Sequence, residues 1–192
     1  RIRDIRASEK RFYQKIRDIY RLAIDYDPKA DTTLAFFKTV QNKLHWAITG
    51  HTAAELIAER VDARKPNMGL TSWKGAKVRK GDVTVAKNYL NEEEIRNLNR
   101  IITMYLDYAE VQAERKQPIY MKDWVQKLDA FLQFNEREIL TGSGQVSMEV
   151  AKKLALEEYA KFSRRRITEE DEEAEAEFER TVKELEKGEG EE

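Results

Sequence analysis

Two histidines, two carboxylates and one arginine stand close together between Val40 and Leu70. They are His45, His51, Glu55, Arg60 and Asp62, and the chain of 192 residues has no other histidine. Imidazole and carboxylate side chains near neutral pH can exchange protons with a substrate or bind a divalent metal. An arginine beside them would stabilise developing negative charge. These five residues form the candidate catalytic set.

The spacing of the two histidines limits this interpretation. Six residues at roughly 100° each place His45 and His51 about 120° apart around one continuous helix, so they converge only if Gly50 bends the chain. The spacing matches no established zinc site and the chain has no cysteine, so we predict no metal and no cofactor. The structural alternative gives His45 a buried hydrogen bond, His51 a loop position and Glu55 a helix-capping role.

A glycine joins the two helices that position these residues. An apolar stripe precedes it at helical spacing, with His45 on the opposite, polar face. Gly50 is typical of the left-handed turn that ends a helix. Thr52 and Glu55 have the spacing of a capping box, which predicts a second helix from about Thr52 to Val61 or Asp62.

The chain's longest segment without periodicity is residues 63–81, which we call the basic loop. A basic, glycine-flanked loop with one tryptophan could contact phosphates and stack a base. It could equally be a solvated loop whose tryptophan fills the core. The candidate nucleic-acid-binding residues are Lys65, Trp73, Lys74, Lys77, Arg79, Lys80 and Lys87.

Composition favours an all-α fold. Charged residues make up 37% of the chain and hydrophobic residues 41%, with only 8 glycines and 3 prolines. That balance is typical of long helices rather than a sheet. The absence of cysteine excludes disulfides and cysteine chemistry and favours a cytoplasmic protein. No apolar run is long enough to cross a membrane and no signal peptide opens the chain, so we predict no membrane association.

The net charge of −1 hides an uneven distribution. Residues 1–90 carry 19 Lys and Arg against 10 Asp and Glu, and residues 91–167 carry 13 of each kind. Residues 168–192 carry 3 basic against 13 acidic residues. The N-terminal half could therefore meet a polyanion such as DNA despite the neutral whole.

The pattern predicts a bundle of about six to seven helices with a long projecting C-terminal helix. The predicted helices are Arg1–Tyr26, one from about Asp31, one from about Thr52, Asp82–Tyr89, Asn91–Lys116, Met121–Leu140 and Ser147–Lys187. The predicted division is a helical core domain over 1–146, a long amphipathic helix over 147–187 and a disordered acidic tail over 188–192. Because the first and last helices show heptad-like apolar spacing, we expect a homodimer through one of them.

The chain resembles the C-terminal region of the RhuM family of bacterial virulence-associated proteins. The resemblance covers about residues 1–166 and is carried by RIRDIRASEKRFYQKIRDIY, DYDP, FFKTVQNKLHWAITGHTAAELI, KPNMGL, VTVAKNYLNEEEI, MYLDYAE and KLDAFLQFNEREIL. It implies a further N-terminal region, similar to a helix-turn-helix DNA-binding domain, that would precede Arg1. It implies a link to virulence or mobile elements but supplies no catalytic residues.

Three functions follow as hypotheses. The first is a DNA-associated regulatory, defence or virulence protein whose helical region dimerises and presents the basic loop to nucleic acid. The second is a phosphodiester-acting, nuclease-like enzyme built on the His45 and His51 region. The third is an oligomerisation and protein-docking module. Whether the histidines and the basic loop face one pocket would discriminate between the first two.

Overall fold

The computed structural model describes residues 14–27, 29, 31–115 and 117–188, with side chains described to residue 181. The regular secondary structure of the described residues is all helical, with no strand among them. Residues 14–20 are helical (α1). The other helices are α2 (Asp31–Thr49), α3 (Ala53–Arg60), α4 (Glu92–Glu114), α5 (Met121–Phe134) and α6 (Met148–Gly188), with short 3₁₀ turns at Pro66–Gly69 and Ala86–Tyr89. The predicted all-α fold with a long C-terminal helix is confirmed.

Helix α2 is the centre of the arrangement. It packs against α4 and α5 on one side and contacts α3 at the corner. Helix α3 in turn packs against α6 and the second 3₁₀ turn. Tyr20 and Trp124 lie in the core with ring centroids 5.3 Å apart, and the Tyr20 hydroxyl lies 2.9 Å from that of Tyr105. The aromatic residues thus join α1, α4 and α5 around α2.

The corner between α2 and α3 forms as the sequence predicts. Gly50 has a φ of +71°, a left-handed conformation that glycine adopts without strain. The Thr52 hydroxyl accepts a hydrogen bond from the Glu55 amide, and the Glu55 carboxylate accepts one from the Thr52 amide. The loop before α6 closes over this cap, because Gly144 also has a positive φ, of +85°, and lies against Thr52.

The predicted first helix is too long at its C-terminal end. Regular helix ends at Tyr20, and a turn follows in which the Ile24 amide donates to the Ile119 carbonyl at 3.1 Å. Asp25 then accepts a hydrogen bond from the Met121 amide at 2.8 Å. These bonds tie the chain to the start of α5, and they replace the bonds that a continuing helix would make. The prediction for residues 1–13 lies outside the described residues.

Two other predicted helices are shorter in the structure. Asp82 does not cap a helix, because its carboxylate accepts the backbone amides of Lys74 and Arg79 at 3.3 and 3.0 Å across the basic loop. Only the 3₁₀ turn of Ala86–Tyr89 forms there. Helix α5 ends at Phe134 rather than Leu140, because Glu136 adopts a positive φ of 56°.

Helix α6 has two different halves. Ala151, Ala155 and Phe162 are buried against the body of the protein. From residue 167 to residue 181 every side chain is exposed. The first half therefore belongs to the core, and the second half projects from it. No described helix has both the length and the apolar composition needed to cross a membrane.

The Gly144 contact gives a test of the fold. A Cβ at this position would lie 2.7 Å from Thr52 Cγ2 and 3.0 Å from Glu55 Oε1. We expect Gly144→Ala to lower the free energy of unfolding by about 2 kcal/mol, because it adds a positive-φ penalty to a steric clash at the cap. Urea denaturation followed by circular dichroism measures the change.

Gly142→Ala is the matched control, because a Cβ there meets nothing within 4 Å and the residue has no positive φ. We expect its unfolding free energy to stay within about 0.5 kcal/mol of the parent value. Equal effects of the two substitutions would contradict the packing of this loop on the cap.

Candidate functional site

His45 lies on the inward side of α2 with only 4% of its surface exposed. Burial lowers its pKa to about 4, helped by the charge of Lys87 and opposed by that of Glu94. Its Nδ1 finds no hydrogen-bond partner within the described part of the chain. The helical pattern predicts a polar face for His45, but packing buries the ring, which is therefore neutral near pH 7 and shielded from large substrates.

His51 occupies the corner after Gly50 and is half-buried. Its Nδ1 donates to the Thr49 carbonyl at 2.8 Å, and its Nε2 lies 2.8 Å from a carboxylate oxygen of Glu59. Both ring nitrogens therefore have an acceptor of the protein beside them. The imidazole therefore ties the end of α2 to the outer face of α3.

Glu55 is held on both carboxylate oxygens. Oε2 accepts from the Thr52 amide at 2.8 Å and Oε1 from the Gln145 amide at 2.6 Å. Partial burial acts to raise the pKa of Glu55, but the amide hydrogen bonds from Gln145 and Thr52 outweigh it and bring the pKa below its ordinary value. The geometry matches the structural alternative for this residue, which is a cap.

Arg60 makes a fork-shaped ion pair with Glu94. Its two Nη atoms donate to the two Glu94 oxygens at 2.7 and 2.6 Å, and Nη1 also donates to the Tyr89 carbonyl at 2.8 Å. The hydrogen bonds from Arg60 lower the pKa of Glu94 despite its partial burial. Arg60 thus joins the end of α3 to the start of α4 and points at a protein carboxylate rather than into a cavity.

Asp62 pairs with its near neighbour Arg64. Its two carboxylate oxygens accept from the Arg64 guanidinium, each at 3.1 Å, and one also accepts the Arg64 amide at 2.9 Å. The hydrogen bonds from Arg64 lower the pKa of Asp62 to about 2. Asp62 is therefore a carboxylate at all ordinary pH values and a poor proton carrier near neutrality.

The five candidate catalytic residues do not form one hydrogen-bonded group. No hydrogen bond or ion pair joins any two of them where the structure describes the chain. Four have protein partners that fix their orientation, and His45 is buried. Their catalytic role stays a prediction. Among the described residues, no cluster of three or more His, Cys, Asp or Glu is arranged to hold a metal ion.

The basic loop presents most of its candidate side chains to solvent. Its exposed members are Lys65, Lys74, Lys77, Arg79 and Lys80. Trp73 is half-buried and packs against the core, so it anchors the loop, which leaves less of its ring for a base to stack on. Lys87 follows the loop, in the 3₁₀ turn, and is half-buried.

Helix α6 runs along the basic loop. The Arg166 guanidinium donates to the Val78 carbonyl at 3.3 Å. One turn further, Glu170 Oε1 accepts from Lys77 Nζ at 2.5 Å. The arginine run at residues 164–166 therefore lies next to the loop, and Arg164 and Arg165 are exposed. The three arginines are visible in the sequence, but their position beside the loop follows only from the packing of α6.

A cleft of about 640 Å³ separates the end of α3 from α6. We call it the α3–α6 cleft. Its charged lining residues are Glu59, Asp62, Arg64, Lys65, Glu158, Lys161 and Arg165. The Glu158 carboxylate accepts from the Ala63 amide at 2.8 Å and from Lys161 Nζ at 2.5 Å, which fixes the cleft floor. The cleft brings Lys65 of the basic loop together with Lys161 and Arg165 of α6.

An ion pair between Lys43 and Asp129 was not predicted from the sequence. Lys43 Nζ lies 2.8 Å from Asp129 Oδ1 and donates to the Leu140 carbonyl at 2.8 Å. Lys43 is only 8% exposed and Asp129 is half-buried, and the pair joins α2, α5 and the segment that follows α5. The available signal was a lysine between Val40 and Ala47, within the apolar stripe of α2.

Comparison with known proteins places the chain in a family. The model of the family described as Virulence protein RhuM family matches residues 1–170. Neither the curated proteins nor the solved structures with which the chain was compared match it. The family match covers every candidate residue discussed above.

The burial of His45 gives a pH-dependent prediction. Its folded pKa of about 4 lies below the ordinary value of 6.5, so between these values the unfolded chain binds a proton that the folded chain excludes. We expect this histidine to reduce stability as pH falls from 6.5 to 4, by about 3 kcal/mol in full. Above pH 6.5 the effect vanishes.

Urea unfolding at several pH values in this range measures the effect. Carboxylates also titrate here, so the informative quantity is the difference in slope between the parent protein and His45→Gln. The variant should lose less stability on acidification. An imidazole resonance that titrates near pH 6.5 in the folded parent protein and is absent from His45→Gln would contradict the burial.

Proposed function

Because the chain belongs to the RhuM family of virulence proteins, we propose that its helical body binds nucleic acid as part of a regulatory or defence protein. The contact surface is the basic loop together with the neighbouring face of α6, which we call the basic face. The preferred ligand is DNA. No residue of this chain is assigned a role in recognising a particular base sequence.

The observation that carries the proposal is the meeting of two basic segments that are distant in sequence. Arg166 contacts the backbone of the loop at Val78, and Lys65 shares the α3–α6 cleft with Arg165. Exposed cations on one continuous face can neutralise several phosphates and release their counterions, which is the main source of sequence-independent affinity. Isolated surface cations would not have this effect.

The shape of the basic loop supports the same proposal. Asp82 accepts the amides of both Lys74 and Arg79, so the carboxylate holds the backbone of the second half of the loop. The side chains of Lys74, Arg79 and Lys80 remain exposed. A loop that is already ordered loses less conformational entropy when its cations meet a ligand.

The phosphodiester-acting enzyme remains the alternative in a different class. It needs a proton carrier within reach of the substrate, and His45 is buried while His51 is hydrogen-bonded at both ring nitrogens. Nucleic-acid binding by the basic face requires no proton carrier, so it needs no change in the position of either histidine. Binding without cleavage of the bound duplex would favour the nucleic-acid-binding function over the enzyme.

We also propose self-association through the projecting half of α6. Ile167 and Phe178 expose 54% and 70% of their surface there, as unpartnered helix positions in a coiled coil would. Residues 169–181 carry eight acidic residues and one basic residue, so two such helices repel each other at low salt. Association of this kind strengthens as salt screens the repulsion.

The first test is charge reversal on the basic face. We expect Lys74→Glu, Arg79→Glu and Lys80→Glu together to weaken binding to a short labelled duplex more than tenfold. Fluorescence anisotropy across a salt series measures it. If the three cations contact phosphates, the slope of log K against log salt should also fall by about 2.7, since each contact contributes about 0.9.

The control carries the same change in net charge on another part of the surface. Arg17, Arg100 and Lys122 are exposed on α1, α4 and α5, and their reversal to Glu should reduce binding much less. A parent protein that does not bind at low salt, or equal losses in both triple variants, would refute the basic face as the contact surface.

The second test concerns self-association. Sedimentation equilibrium at about 0.05 and 0.5 M salt should show more dimer at the higher salt, because screening removes repulsion between the acidic helices. Phe178→Gln should reduce the dimer at both concentrations without changing the helical content. A monomer under all conditions would refute the proposed interface.

A further inference from the structure

We propose that the acidic segment at residues 169–181 of α6 is an intramolecular competitor of nucleic acid at the basic face. This inference rests on the proposed function and names a regulation of that same surface. Competition requires a specific contact within the chain, whereas nucleic-acid binding does not, so the two proposals can fail separately.

The contact is an ion pair at the boundary between the basic and acidic parts of α6. Glu170 accepts a hydrogen bond from Lys77 of the basic loop at 2.5 Å. Arg166, one turn earlier, lies 3.8 Å from the same carboxylate. The hydrogen bond from Lys77 lowers the pKa of Glu170. Glu170 thus occupies the position beside Lys77 that a phosphate oxygen would take.

The direction of α6 adds a second effect. Arg166 is fixed to the loop backbone at Val78, so the helix leaves the body from the edge of the basic face. Beyond Glu170 come Asp171, Glu172 and Glu173, all exposed. A polyanion approaching the loop therefore meets negative charge at its border, which lowers the local concentration of polyanion.

Screening limits how far along the helix this effect extends. Each residue advances the helix by about 1.5 Å, and the Debye length at 0.1 M salt is about 10 Å. Glu173 lies about 4.5 Å along the axis from Glu170, whereas Glu177 and Glu179 lie about 10 and 13 Å away. The competing charge is therefore concentrated in the first turns after Glu170.

This distance dependence provides a control within the same helix. Glu170→Gln with Glu173→Gln removes two charges near the loop, and Glu177→Gln with Glu179→Gln removes two charges far from it. All four residues are exposed and helical, and glutamine is as good a helix former as glutamate. The two double variants have equal net charge, so a general charge effect would change both equally.

We expect the near variant to bind the labelled duplex about five times more tightly than the parent protein at 0.1 M salt. The far variant should change affinity less than twofold. If release of Lys77 adds a phosphate contact, the near variant should also show a salt slope steeper by about 0.9. Above about 0.5 M salt the difference between the two variants should vanish.

A double-mutant cycle tests the contact itself. Lys77→Gln should weaken binding little in the parent protein, where Glu170 already occupies that lysine, and more strongly in a Glu170→Gln background. Additive effects, or equal gains in the near and far variants, would overturn the inference while leaving nucleic-acid binding intact. Absence of binding by every variant at low salt would instead overturn the proposed function.

Discussion

The placement of the short helix α3 is the constraint on which the rest of the structure depends. A helix of eight residues is not stable alone, because the cost of its first turn is spread over too few hydrogen bonds. At its N-terminus the Thr52 and Glu55 cap is closed by Gln145, and at its C-terminus Arg60 is fixed by Glu94. Charged groups at both ends thus connect α3 to the segment before α6 and to the first turn of α4.

The residues at the two ends of α3 are also the ones that suggest a catalytic site in the sequence. A histidine, a glutamate, an arginine and an aspartate within one short stretch are the residue types of an active site. In the structure the Glu55 and Arg60 side chains make their hydrogen bonds to other groups of the protein. Chemistry-bearing residues at a helix corner can therefore be part of the framework, and the surface that remains available lies beside them, on the basic loop and α6.

Local signals in the sequence predicted local structure well. Gly50 and the Thr52 and Glu55 pair each act within a few residues, and each gives the predicted turn or cap. Ile16 and Ile19 are buried, as their heptad positions indicate.

Features that depend on distant partners were not predictable in this way. Asp82 has the type and spacing of a helix cap, yet it binds amides eight and three residues before it. The end of α1 is set by a hydrogen bond from Ile24 to Ile119. The burial of His45 depends on helices that pack against α2, and no local pattern in the sequence predicts which helices these are. The arginine run of α6 is visible in sequence, but its place beside Val78 follows only from how α6 packs.

The ion pair of the buried Lys43 with Asp129 has a consequence for how this chain can change over time. Loss of Asp129 alone leaves the buried Lys43 ammonium without its charged partner, which costs about 3–5 kcal/mol for a fully buried pair, whereas replacing both residues with apolar ones is often neutral. A chain that loses Asp129 first therefore passes through a destabilised intermediate. Lineages should therefore keep both residues or lose both, and the two positions should vary together.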